Sequence, residues 1–61
     1  MTKFRLIVYY AGEDAYKYLV EIAETYNLSY THIADRCAII FFINDVDMLV
    51  TVSKDIQSAV I

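Results

Sequence analysis

Proline is absent from this 61-residue sequence, and glycine and cysteine each occur once. With so few breakers the chain has no room for a linker, a low-complexity tract or a disordered arm. The lone Cys37 excludes an intrachain disulfide, and one cysteine with one histidine falls short of the several Cys/His ligands that zinc takes. No apolar run approaches the roughly 18 residues of a membrane-spanning helix. The start, Met-Thr-Lys-Phe-Arg, leads into an alternating segment too short for a secretory core. A cytoplasmic location is therefore expected, where a free thiol stays reduced. Basic residues are also scarce, five against eight acids, giving a net charge of −3. That balance counts against nucleic acid and against an anionic membrane surface, both of which call for a basic footprint.

What the chain has in excess is apolar surface. Hydrophobic residues make up 59% of it, six of them tyrosines. Globular domains usually hold about 45–50%. A single domain over residues 1–61, near the lower size limit for independent folding, has too high a surface-to-volume ratio to hide so much. Disulfide and metal being excluded, a second chain is the expected source of the missing burial.

The most apolar stretch is Cys37–Ile43, Cys-Ala-Ile-Ile-Phe-Phe-Ile, which reads as a strand covered on both faces. Ahead of it, Lys3–Tyr10 alternates Phe4, Leu6, Val8 and Tyr10 on a core face with Arg5, Ile7 and Tyr9 on the other. Ala11-Gly12 breaks that strand, with Gly12 placed as an N-cap or a positive-φ turn residue. A helix is expected from Glu13 to Tyr26, with Ala15, Leu19, Ile22, Ala23 and Tyr26 in one stripe and Asn27 as its C-terminal stop. Leu28–Ala34 alternates again as a strand, and Ala34-Asp35-Arg36 turns it into Cys37–Ile43 as a hairpin. If Asp35-Arg36 is a two-residue turn, Cys37 pairs with Ala34 and His32 with Ile39. Asn44 reads as the cap of a second helix carrying Leu49, Val52, Ile56 and Val60, although β-branched Leu49–Val52 leaves a strand over Met48–Ser53 as the alternative.

The order β-α-β-β-α places the first two strands parallel, with the third between them and antiparallel to both. The expected fold is α+β, a three-stranded sheet of order 1-3-2 with both helices on one face. It resembles the ferredoxin-like arrangement without its last strand, a topology shared by unrelated functions. Two consequences follow. The edge of Lys3–Tyr10 is left unpaired. The helix-free face presents Ile7 and Tyr9 beside either Ile39, Phe41 and Ile43 or Ala38, Ile40 and Phe42, and either set is apolar.

Candidate chemistry is sparse. No nucleophile–base pair, phosphate loop or metal set is visible, so neither an enzyme nor a bound cofactor is expected. His32 reads as a hydrogen-bonded strand histidine and Cys37 as core packing; Asp45 and Asp47 sit where helix caps and dipole partners belong. Tyrosine offers large area with a polar tip at small entropic cost, so Tyr9, Tyr16, Tyr18 and Tyr30 join Ile7 and Phe41 as candidate interface residues. Glu13, Asp14, Glu21 and Glu24 form an acidic helix face suited to a basic partner. The leading expectation is a non-catalytic, homodimeric interaction module. Its size and charge fit a small inhibitor, antitoxin-like or phage accessory protein that blocks a larger protein's basic surface. Two alternatives stand. One is a small-molecule sensor with its ligand between protomers, for which a single glycine is a poor supply of binding loops. The other resembles the RNA-recognition domains, with Tyr9 and Phe41 as stacking positions, but Cys-Ala-Ile-Ile-Phe-Phe-Ile lacks that family's basic and glycine positions.

Overall fold

A computed structural model describes residues 3–59 of the protein. Strand β1 (Phe4–Tyr9) is followed by helix α1 (Glu13–Thr25), strand β2 (Ser29–Ile33), a 3-10 turn (Ala34–Arg36), strand β3 (Ala38–Ile43) and helix α2 (Val46–Ala59). The sheet has the order β1-β3-β2, and β3 is antiparallel to both neighbours. This is the α+β, ferredoxin-like arrangement lacking its last strand. Val60 of the expected second-helix stripe lies outside the described residues.

The register divides the sheet cleanly. Phe4, Leu6 and Val8 stand opposite Ile43, Phe41 and Ile39, and these in turn face Tyr30 and His32 on β2. The helices cover this side. Leu19, Ile22 and Ala23 of α1 and Val52 and Ile56 of α2 join Ile39, Phe41 and Ile43 in one buried cluster. The alternate residues Arg5, Ile7 and Tyr9, then Phe42, Ile40 and Ala38, then Ser29, Thr31 and Ile33 form the open face.

Local chemistry explains the element ends. Gly12 caps α1 at φ 90°, ψ 159°, a region essentially closed to residues with a Cβ. Nothing lies within 4 Å of where that Cβ would stand, so backbone conformation rather than crowding requires the glycine. At the other end Asn27 adopts φ 55°, its N–H bonding the Glu24 carbonyl while the Leu28 N–H reaches Ala23. That pair of bonds is a Schellman motif, with Asn27 just beyond the Tyr26 C-cap.

Two expectations, the cap of α2 and the place of Cys37, are corrected, and a third, the helix over Leu49–Val52, is met. Asp45, not Asn44, caps α2: its Oδ2 accepts the Met48 N–H at 3.3 Å. Both residue types cap well, so sequence alone leaves the position one residue uncertain. Leu49–Val52 is helical, the reading preferred over a strand, because Leu49 and Val52 lie in a stripe with Ile56 that packs into the core while Val50 and Thr51 face outward. Cys37 is exposed and lies before the strand, at φ 52°. The Ala34–Arg36 turn closes through the Cys37 N–H to the Ala34 carbonyl at 3.2 Å and needs a left-handed residue at its end. No glycine or asparagine is there to take that place. The pairing of His32 with Ile39 is as the two-residue turn requires.

Candidate functional site

The open face is built by β1 and β3. Ile7 remains 51% exposed and Tyr9 70% exposed, while their neighbours Ile40 and Phe42 are half-buried. Ala38 is buried because Tyr9 and Ile33 stand on either side of it in the ladder. Arg5 is the charge on the β1 side of this surface, opposite Phe42. A strip of apolar side chains thus runs across the sheet where a third layer would sit on a domain with helices on both faces.

Along the outer edge of β1 a groove of about 820 Å³ opens beneath the helices. Val8, Tyr9 and Tyr10 line it from the strand, Asp14, Tyr18 and Leu19 from α1, and Ile56 from α2. Among the described residues nothing pairs with that edge.

The hydrogen-bond direction of the edge follows from one contact. The Tyr10 N–H donates to the Cys37 carbonyl at 2.9 Å, continuing the ladder in which Tyr9 stands opposite Ala38. In an antiparallel pair a residue's N–H and C=O point the same way, and the direction alternates along the strand. The even residues of β1 therefore bond β3, and Arg5, Ile7 and Tyr9 direct their backbone groups outward.

The other tyrosines hold the protein together. The Tyr26 hydroxyl donates to Asp55 Oδ2, and the Tyr18 hydroxyl donates to the Asp55 carbonyl at 3.3 Å, so one residue of α2 receives two from α1. The bond to Asp55 is the chief cause of a Tyr26 pKa above its usual value. Tyr10 hydrogen-bonds His32 Nε2 at 2.5 Å. Tyr16 packs at a tilt against both, its ring centroid 4.5 Å from that of His32 and 5.6 Å from that of Tyr10. Burial, with Cys37 and Tyr16 nearby, raises the Tyr10 pKa. His32 is thus a hydrogen-bonded strand histidine.

The six candidate interface residues consequently part company. Ile7 and Tyr9 lie on the open face, and Tyr18 lies across the groove from β1. Tyr16 belongs to the His32 cluster, and Tyr30 lies half-exposed on the helix side of β2. Phe41 is a correction: it is 0% exposed in the core, so it is available neither to a partner nor to a stacked base. Phe42 and Ile40 take the open-face positions instead. Sequence reasoning did not single out Arg5, whose only signal was its alternation with Ile7 and Tyr9. Glu13, Asp14, Glu21 and Glu24 are all exposed on α1. Among the described residues no group of three or more His, Cys, Asp or Glu side chains could hold a metal ion, and no helix is long and apolar enough to cross a membrane.

No family model, curated protein or solved structure matches the chain.

Proposed function

We propose that this protein is a non-catalytic interaction module that works as a homodimer and presents the acidic face of α1 to a larger, basic protein partner. The carrying observation is the helix-free side of the sheet, where Ile7, Tyr9, Ile40 and Phe42 have no covering layer within residues 3–59. Apolar surface of this contiguity on a small domain marks an interface. The acid cluster Glu13, Asp14, Glu21 and Glu24 supports the second contact through charge alone, and suits an inhibitor that competes for a cationic surface. Light scattering coupled to size exclusion tests the first part. The expected mass is twice 7.1 kDa. A monomer that persists at high concentration would sink the homodimer.

A further inference from the structure

We infer that two copies join edge to edge through β1, antiparallel, with the two-fold axis at Ile7, so that two three-stranded sheets become one. This rests on the homodimer reading and places its contact at the β1 margin of the open face, where Ile7 and Tyr9 stand, so that Ile40 and Phe42 on the central strand are not covered by it. The free edges are not equivalent. Beside β2 the exposed residues are Ser29, Tyr30, Thr31 and His32, of which only Tyr30, 39% exposed, is a large hydrophobe, whereas the β1 edge carries Ile7 and Tyr9, 51% and 70% exposed, beside an apolar groove. An unpaired apolar strand is the kind of edge that recruits another strand.

Parity limits the register to pairs of odd residues, and charge chooses among them. Arg5, Ile7 and Tyr9 direct their backbone groups outward, and paired residues of antiparallel strands share a face. Centring the axis on Ile7 sets Ile7 opposite itself and Arg5 opposite the partner's Tyr9, twice per dimer. Each such pair brings a guanidinium to an aromatic ring rather than to a like charge. On the helix side the same register sets Leu6 opposite the partner's Val8 and Phe4 opposite the partner's Tyr10. Val8 and Tyr10 line the groove together with Tyr9. The partner's Leu6 and Phe4, both half-buried in one copy, thus come level with that groove and complete its apolar packing. At the strand ends, Lys3 of one protomer comes opposite the partner's Ala11, at the approach to the acidic first turn of Glu13 and Asp14. Charge and shape are self-complementary about one residue, which favours a second copy over an unrelated strand.

Three variants at exposed positions test the register by sedimentation equilibrium on the full chain. Tyr9→Arg sets arginine against the partner's Arg5 and is expected to weaken the dimer about tenfold or more. Tyr9→Glu sets an acid against that same arginine and should keep the dimer. Arg5→Glu added to Tyr9→Arg should restore it, and only across the interface, because positions 5 and 9 of one strand lie about 13 Å apart. Equal weakening by Tyr9→Glu and Tyr9→Arg, or a double variant that stays dissociated, overturns the edge contact while leaving a homodimer standing. A wild type that is monomeric throughout overturns both.

Discussion

The two faces of β3 differ by one residue in phase and by nearly everything in environment. Ile39, Phe41 and Ile43 are sealed under two helices, whereas Ile40 and Phe42, equally apolar, are only half covered. Adjacent phenylalanines thus occupy a finished core and an unfinished one. The contrast teaches that apolarity in this chain serves two purposes, and that only one is discharged within a single copy. A strand buried on one side needs alternation; a strand apolar on both sides needs a second layer.

The largest expected effect sharpens that contrast directly. Phe41→Ala should cost about 3–5 kcal/mol, enough to unfold so small a domain. Phe42→Ala, measured by urea denaturation, should cost only about 1–2 kcal/mol, because part of that side chain is already in water. Equal losses would mean that Phe42 is packed as fully as Phe41, and the distinction between the two faces would fail.

Much of this architecture was legible beforehand. The stripe Leu19, Ile22 and Ala23 located α1, and alternation located β1 and β2, because amphipathic elements advertise which side is buried. The phase of β3 was not legible: Cys-Ala-Ile-Ile-Phe-Phe-Ile has no polar residue to mark a face, and only its register with Leu6 settles that Phe41 points to the helices. Cys37 was misplaced for a related reason. Its side chain is compatible with a core, and the demand that moved it comes from the turn's backbone rather than from hydrophobicity. The Tyr9 side of the site was readable from alternation, whereas the edge polarity of Arg5, Ile7 and Tyr9 needed a hydrogen bond that no composition reveals.

A smaller effect probes what keeps the covered face closed. Tyr26 ties α1 to α2 through Asp55, and that bond favours the neutral phenol in the folded protein. Its folded pKa lies above the usual 10.0, so the contribution is complete below pH 10 and is lost as pH climbs through the raised value. Tyr26→Phe should therefore lower stability at pH 8, and its own alkaline loss should be shallower than that of the wild type. Paired urea titrations at pH 8 and above pH 10 measure both; parallel alkaline losses would remove Asp55 as the cause.

The smallest effect lies where β3 begins, before its two faces diverge. Cys37 holds φ 52° at the end of the hairpin turn, a conformation that costs a residue with a Cβ and costs glycine nothing sterically. Against this, glycine adds freedom to the unfolded chain, so Cys37→Gly should yield a net gain of only about 0.5–1 kcal/mol. The gain should appear as a higher urea midpoint at unchanged slope. Because the position belongs to the turn and to neither face, the mass in solution should not change with it. A variant that is stabilised yet altered in mass would tie the turn to the assembly and erase the division between a closed side that folds the protein and an edge that joins it.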